Sequence, residues 1–343
     1  MNSMRPYRIW LGLSMLMVIL MMIIGAITRL TESGLSMVEW RPFIGWIPPL
    51  STGDWQRIFE LYQQTSQYQL MNKGMSLADF QTIFWWEYIH RVFGRLIGVV
   101  YALPFLYWAV RNRLPVGYRL RLFLLLGLGG LQGVIGWWMV KSGFVDRTEV
   151  SQIRLAVHLG VAFIILGLIY WVWLDMGNRE TPNSAQLESP FLHTKIRHFF
   201  ALAPITIIGL TLLAGALVAG LRAGFIYNDW PTMDGALWPS IYWDSAMGLR
   251  SLYEDYATVQ MNHRIMAYLS VLTCFAVFAV AQIKSLKQSQ HNGAALMIIV
   301  IIQLMLGVAT LMLVVPIWLG ALHQFTAILL YLAALNHCYK CYR

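Results

Sequence analysis

Eight long apolar runs constrain this sequence more than any other feature, because each is long enough to cross a lipid bilayer. The hydrocarbon core of a bilayer is roughly 30 Å thick, which a helix of about 20 residues spans. Lipid offers backbone N–H and C=O groups no partner, so such segments form helices. Only 12% of the 343 residues are charged, against about 25% in soluble domains. The sequence therefore predicts an all-α integral membrane protein with eight transmembrane helices, at roughly 10–28, 88–110, 120–140, 154–174, 201–221, 263–283, 293–315 and 319–337.

The distribution of Lys and Arg predicts the orientation of these helices. If the N-terminus is cytoplasmic, the inner segments and their flanks hold 13 basic and three acidic residues, and the outer segments hold 11 basic and 13 acidic residues. Basic residues concentrate on the cytoplasmic side of membrane proteins. We therefore expect both termini in the cytoplasm. The net charge of +9 reflects this topology and not a nucleic-acid site, since no basic patch with interleaved aromatic residues occurs.

The N-terminal segment leads directly into the first apolar run. No A-x-A-like cleavage site follows that run, and no Arg- and Ser-rich transit sequence precedes it. We therefore expect an uncleaved anchor in a bacterial plasma (inner) membrane.

The three cysteines are Cys274, in the sixth run, and Cys338 and Cys341, near the C-terminus. None lies in an outer loop, so no disulfide is expected on the outer face. Cys338 and Cys341 could bind a metal together with His337, but zinc needs about four ligands. Two reduced cytosolic thiols are the alternative.

The chain reads as a duplicated four-helix unit, because matching residues recur in the same order in both halves. The separation between matching residues decreases along the chain, and it shrinks only across loops. Each half has four spans, so the halves share an orientation, as in a parallel repeat. We predict two tandem four-helix bundles related by pseudo-twofold symmetry, with domains 1–174 and 201–343 joined by a cytoplasmic linker, 175–200. The matching pairs are Gly25/Gly215, Gly34/Gly224, Trp40/Trp230, His90/His263, Arg91/Arg264, Gln132/Gln303, Gly136/Gly307 and His158/His323.

Four of the eight histidines occupy repeat-related positions near the outer start of the even-numbered spans: His90, His158, His263 and His323. We expect all four within the first turns of their helices. Helices two and four of an up-down bundle are diagonal, so each half would bring two imidazoles to one point, as axial ligation of a haem requires. A single such histidine is more often a packing or interfacial residue. Four at repeat-related positions favour haem ligation, because polar side chains in lipid are costly and usually functional.

The residues beside these histidines differ between the halves. Arg91 and Arg264 follow their histidines and are either partners of haem propionates or ordinary interfacial arginines. Glu87 lies three residues before His90, on the same helix face, whereas Gln260 occupies the matching position of the second half. Glu87 either stabilises the positive end of its helix dipole or performs proton chemistry in the first half alone.

Three segments resemble the heme A synthases, and the resemblance covers nearly the whole chain. EYIHR at 87–91 resembles the E-x-x-H-R motif of that family. GAITRLTESGLSM at 25–37, followed by Trp40, resembles the outer edge of its first span, and YNDWPTMDG at 227–235 resembles the segment after its fifth. The chain lacks the cysteine pair that part of the family carries in the first outer loop. It thus resembles the cysteine-free branch of proteobacteria and mitochondria. Without those cysteines, a thiol-based redox step at that loop cannot occur.

The resemblance implies an oxidoreductase that converts the C8 methyl group of haem O to a formyl group, giving haem A, by two hydroxylations and loss of water. His90 and His158 would hold the substrate haem O with Arg91, and His263 and His323 would ligate a resident haem b with Arg264. Glu87 would be catalytic, as a proton acceptor or a stabiliser of positive charge. The implied partners are heme O synthase, which is a farnesyltransferase, and cytochrome oxidase assembly factors. The resemblance leaves open whether the protein forms a homo-oligomer.

A diheme b-type cytochrome that takes electrons from quinol is the alternative. It also needs paired histidines, but it has no need of the asymmetry between Glu87 and Gln260. It would usually place its haems near both membrane faces, whereas all four histidines here are predicted near one face.

Overall fold

The computed structural model describes residues 4–39, 45–144, 148–180, 194–283 and 287–342. Over these ranges the chain is nearly all helical and contains no strand, only an isolated bridge between Met233 and Ala236. Eight of the described helices are long and apolar enough to cross a membrane, which confirms the predicted fold class. Trp40 and residues 181–193 of the predicted linker lie outside the described ranges.

Within the described ranges there are eleven α-helices, eight of them membrane-spanning. The spanning helices are α1 (Arg5–Leu30), α4 (Leu77–Val110), α5 (Arg119–Lys141), α6 (Gln152–Glu180), α7 (Thr194–Leu221), α9 (Tyr256–Ile283), α10 (Lys287–Met312) and α11 (Ile317–Tyr342). The short helices are α2 (Thr52–Gln63), α3 (Ser66–Leu70) and α8 (Ser251–Glu254).

Helix α4 begins at Leu77, about three turns before the apolar run at 88–110 that predicted it. Ser76 caps it: its hydroxyl accepts a hydrogen bond from the N–H of Asp79, and the Asp79 carboxylate accepts one from the N–H of Ser76. This capping box satisfies donors that a helix start otherwise leaves unpaired. His90 consequently lies well inside its helix. The expectation that all four histidines lie in the first turns is wrong for His90.

The N-terminal unit comprises Ile9–Leu166. Trp10 Nε1 donates to Val100 O (3.1 Å) and joins α1 to α4, and Tyr101 Oη donates to Leu122 O (3.0 Å) and joins α4 to α5. The segment between α1 and α4 contributes α2 and α3. A buried aromatic cluster fixes α2 against the start of α4: Phe59, Tyr62, Phe80 and Phe84.

The C-terminal unit comprises Gly167–Arg343 with Met1–Arg8, so the boundary between the two units falls inside α6. Its helices α7, α9, α10 and α11 share one buried core, formed by Ile208, Cys274, Val277, Leu296, Val300, Leu330 and Ala334. Small residues such as Ala334 let these helices approach closely. The pseudo-twofold relation and the domain limits at 174 and 201 stay predictions.

Candidate functional site

Each of the four histidines packs against a glycine of the preceding spanning helix. The contact is so close that a Cβ atom on the glycine would meet the imidazole ring at 2.9–3.3 Å. Carbon atoms normally approach to about 3.5–4.0 Å, so only glycine leaves the ring its place. The four pairs, with the distance from that Cβ to the nearest ring atom, are Gly25–His90 (3.3 Å), Gly136–His158 (3.1 Å), Gly215–His263 (3.0 Å) and Gly307–His323 (2.9 Å).

The histidines are brought together in the predicted pairs. His90 and His158 lie close enough for their rings to interact electrostatically in the N-terminal unit, and so do His323 and His263 in the C-terminal unit. All four residues are partly exposed. Each unit therefore presents one pair of neighbouring imidazoles.

The hydrogen bond of His263 selects a tautomer that suits metal ligation. His263 Nδ1 lies 3.2 Å from the backbone oxygen of Thr211. A carbonyl only accepts, so Nδ1 carries the proton and the lone pair is on Nε2. A ligating histidine usually donates its second N–H to such an acceptor, which also fixes the ring orientation.

The remaining polar atoms near the rings are incompletely paired. Among the described residues, the buried Nδ1 atoms of His158 and His323 have no hydrogen-bond partner, and neither do the buried Oε1 atoms of Gln132 and Gln303. Most buried polar groups in proteins are paired. Both units leave the same two kinds of atom unpaired, which indicates that the sites accept a further group.

The residue set fits a haem better than a bare metal ion. No group of three His, Cys, Asp or Glu side chains that could hold a metal occurs among the described residues. A structural zinc site needs about four protein ligands, whereas a haem brings its own equatorial nitrogens and needs only two axial ligands. Two imidazoles per unit therefore suffice for a haem.

The C-terminal cysteines do not enlarge this set. His337 Nε2 lies 3.1 Å from the backbone oxygen of Phe200, and Cys341 Sγ lies 3.7 Å from the same ring nitrogen. Cys338 is buried. Because a carbonyl only accepts, His337 Nε2 carries a proton and donates it to the backbone oxygen of Phe200.

Glu87 is buried, with 2% of its surface exposed, and both of its oxygens are engaged. Oε2 accepts hydrogen bonds from Ser36 Oγ (2.7 Å) and from the N–H of Met37 (2.8 Å), and Oε1 pairs with Arg91. Arg91 also donates to Met37 O (3.0 Å). The Glu87–Arg91 pair thus fixes the loop after α1 onto the helix that carries His90.

The C-terminal unit has the same arrangement with the opposite polarity. Gln260, also buried, donates through Nε2 to Ala223 O (2.8 Å) and Tyr227 O (3.2 Å), and its Oε1 accepts from Arg264 Nη2 (2.8 Å). Tyr227 is the counterpart of Met37 in the repeat. Glu87 therefore accepts from a backbone N–H where Gln260 donates to a backbone C=O.

Arg264 donates several hydrogen bonds and keeps one donor unpaired. It donates to Thr232 O (2.7 Å) and Asp229 O (3.0 Å), while its buried Nε has no partner among the described residues. The Asp229 carboxylate in turn accepts from the N–H groups of Gly235 and Asp234, both at 3.0 Å. The Gly235 N–H, the Thr232 hydroxyl and the Asp234 N–H lower the pKa of Asp229 from 3.8 to about 2. This loop is thus built around Arg264 and Asp229.

A cavity of about 280 Å³ lies under the segment between α1 and α4 of the N-terminal unit. Arg91, Arg57 and Arg95 line it together with Glu39, Asp54 and apolar residues of the loop, but His90 and His158 do not. Arg57 pairs with Glu39 (3.1 Å), and Arg95 donates to Gly45 O (2.5 Å). The cavity therefore lies beside Arg91 and is not the space between the two imidazoles.

Sequence reasoning assigned no role to Ser36 and Met37, which hold Glu87, or to Thr211, which holds His263. It also did not identify the four glycines as histidine neighbours. A signal existed for the glycines alone, because each glycine recurs with its histidine in the repeat.

Comparisons with known proteins agree over nearly the full length. The sequence model of a family described as cytochrome oxidase assembly protein matches residues 8–335. A protein named heme A synthase from Maricaulis maris (strain MCS10) is 45% identical over 329 residues, covering 96% of this chain and 94% of its own. Proteins of the same name are 44% identical over 328 residues in Bradyrhizobium sp. (strain ORS 278), covering 94% and 87%, and 41% identical over 336 residues in Nitrosospira multiformis (strain ATCC 25196 / NCIMB 11849 / C 71), covering 97% and 93%.

Proposed function

The chain belongs to the heme A synthase family, and on that premise we propose that it oxidises the C8 methyl group of haem O to a formyl group. In this proposal His90 and His158 hold the substrate haem O in the N-terminal unit. His263 and His323 ligate a resident haem b in the C-terminal unit.

One observation carries the proposal: each unit has two imidazoles held against glycines, but their surroundings differ in charge. The first pair has the buried carboxylate of Glu87 on the same helix, and the second has the neutral amide of Gln260. Two equivalent electron-carrying haems would not need this difference. An enzyme with one reacting haem and one resident haem does.

The residues of the protein have two proposed roles: they position the substrate, and they stabilise charge that develops during the reaction. A bound haem would supply the redox chemistry. His90 and His158 orient the substrate, and Gly25 and Gly136 set where their rings lie. An error of about 0.5 Å in such a constellation is already harmful, which explains why glycines adjoin the rings.

Glu87 acts through its negative charge more readily than as a proton acceptor. Its two oxygens already receive hydrogen bonds from Ser36, Met37 and Arg91. Because both oxygens already accept hydrogen bonds, the proposal gives Glu87 a charge-stabilising role. An ionised carboxylate near His90 instead stabilises positive charge that develops at the reacting carbon.

Arg264 and Arg91 are proposed as partners of the haem propionates. The unpaired, buried Nε of Arg264 supports this role in the C-terminal unit. In the N-terminal unit the support is the cavity that Arg91 lines together with Arg57 and Arg95. Arginine suits carboxylates because its planar donors match them.

We also propose the cellular setting. The eight apolar helices and the basic inner segments support a bacterial inner-membrane protein with both termini in the cytoplasm. Haem O must come from a farnesyltransferase, so heme O synthase is the proposed supplier, and assembly factors of cytochrome oxidase are the proposed recipients.

Pigment extraction from the purified full-length protein tests the proposal. The protein should yield haem b together with farnesylated haem, either haem O or its oxidised products. Chromatography of the extracted haems separates these species. Haem b alone, in two copies per chain, would support the diheme cytochrome instead.

A further inference from the structure

Arg154, in the first turn of α6, is a charged residue that the proposed function leaves without a role. It lies four residues before His158 and therefore on the same helix face. The His158 ring packs against Gly136 of α5, and Arg154 Nη1 donates to the backbone oxygen of Trp138 on that same helix at 2.7 Å. Arg154 Cζ also lies 4.5 Å from the centroid of the Trp138 ring. Both side chains of α6 therefore reach α5, with Arg154 one helical turn nearer the start of α6.

The C-terminal unit has no counterpart of this arginine–tryptophan pair. Helices α6 and α11 begin at the same distance in sequence before their histidines, so Leu319 occupies the position of Arg154. Leu319 is buried. Ala309, near the end of α10, likewise occupies the position of Trp138. The pair is thus confined to the N-terminal unit, as the Glu87 carboxylate is.

Capping the end of α5 does not by itself require an arginine. A helix leaves its last C=O groups unpaired, and Trp138 O belongs to the last turn of α5. In the C-terminal unit the matching carbonyl, Ala309 O, accepts from the N–H of Leu313 at 3.0 Å, so that helix end is satisfied without a cation. Within the part of the chain that the structure describes, Arg154 donates one hydrogen bond. Most of the five N–H donors of an arginine therefore stay available for a further group.

The charges beside the first histidine of each unit show why the N-terminal unit needs a further cation. Arg91 pairs directly with the Glu87 carboxylate, which offsets its charge. Arg264 instead accepts the neutral amide of Gln260 as its partner and bonds Asp229 through the backbone oxygen. A haem carries two propionate groups, and carboxyl groups of this kind are ionised near neutral pH. The Arg91 pair alone does not balance them.

We propose that Arg154 is a substrate-binding residue that binds a propionate carboxylate of the haem in the N-terminal unit and so helps to seat that haem against His158. The inference rests on the proposed function, since it presupposes haem O in this unit. The planar donors of arginine match a carboxylate in pairs. The contact with the Trp138 ring and the bond to Trp138 O hold the guanidinium in place. Because Leu319 offers no such contact, Arg154 serves the exchanging substrate and not the resident haem.

Absorbance titration of haem O into the full-length protein, purified with its resident haem b from cells that lack haem O, tests this role. Arg154→Gln can still donate to Trp138 O but loses the charge, and it should weaken haem O binding by about 10-fold or more. The dimethyl ester of haem O, whose propionates carry no charge, should bind equally to the wild type and to the variant. Arg250→Gln, which changes an exposed arginine of the C-terminal unit, is the matched control and should bind haem O as the wild type does.

The outcomes separate the inference from its premise. An equal loss of affinity for haem O and for its ester would show that Arg154 only joins α6 to α5, and an unchanged affinity for haem O would also refute the inference. If Arg154→Gln fails to fold, Arg154→Lys keeps the charge without the planar donors and should prefer haem O over the ester less strongly than the wild type; an undiminished preference would refute the inference. A wild-type protein that binds no haem O beside its haem b would refute the proposed function itself.

Discussion

The contact between Gly307 and His323 offers a sharp test of how the haem sites are built. Gly307→Ala adds a single methyl group, whose Cβ would lie 2.9 Å from Cε1 of the His323 ring. The two atoms need about 3.5 Å, so the ring must move by about 0.6 Å. That exceeds the displacement of about 0.5 Å that a functional constellation tolerates.

The cost to folding should be modest. Overpacking usually destabilises a protein by about 1–3 kcal/mol, and replacing glycine by alanine inside a helix returns roughly 0.5–1 kcal/mol. The ring is the mobile end of a side chain, so it yields before the backbone does. We therefore expect a folded protein that binds haem in its C-terminal unit at least about 10-fold more weakly, by analogy with perturbed metal-ligand environments.

The assay compares haem content per chain and thermal stability of Gly307→Ala with those of Gly209→Ala. At position 209, in α7, a Cβ would meet no atom within 4 Å, so this variant should keep its haem. Gly215→Ala, whose Cβ would lie 3.0 Å from the His263 ring, should behave like Gly307→Ala. Normal haem content in Gly307→Ala would refute the idea that the glycines set the ring positions.

Further predictions concern charge, acidity and topology. Glu87→Gln keeps the shape of the side chain, and its amide oxygen can still accept from Ser36 and Met37, so the protein should fold and keep haem but lose haem A formation by about 100-fold or more as the charge is removed; a normal haem A to haem O ratio in membranes would remove Glu87 from the mechanism. The depressed pKa of Asp229, about 2 against 3.8, means that its carboxylate stabilises the loop above about pH 4 and that this contribution is lost as the pH falls towards 2. Asp229→Asn should therefore speed proteolysis of that loop at pH 7 but not near pH 2, and an equal difference at both would show that the charge is irrelevant. A reporter that folds only in the cytoplasm should be active when fused after Arg343, whereas activity of a reporter that folds only in the periplasm, fused at the same place, would reverse the predicted orientation.

The spanning helices were predictable because hydrophobic length alone specifies them. The start of α4 was not, since residues 77–87 include Asp79, Gln81 and Glu87 and do not continue the apolar run. Ser76 and Asp79 form a capping box, which is a sequence signal for a helix start. This capping signal predicts a helix that begins at Leu77, as the structure has it.

The histidines of the candidate sites were identifiable from their repeat-related positions, and the recurring glycines gave a signal too, but the contacts of these residues were not predictable. Which glycine faces which ring depends on how two helices pack. The partners Ser36 and Met37 of Glu87 lie in an irregular loop far away along the chain, and no periodic pattern places such a loop. The polarity reversal between Glu87 and Gln260 becomes visible only when their backbone partners are known.

The central claim is that the two histidine pairs hold different haems, and the haem content of two single variants tests it most directly. His90→Ala should leave haem b at about the wild-type level while haem A formation stops. His263→Ala should remove the resident haem b. If His90→Ala loses haem b as completely as His263→Ala does, the assignment of substrate and cofactor to the two units is wrong.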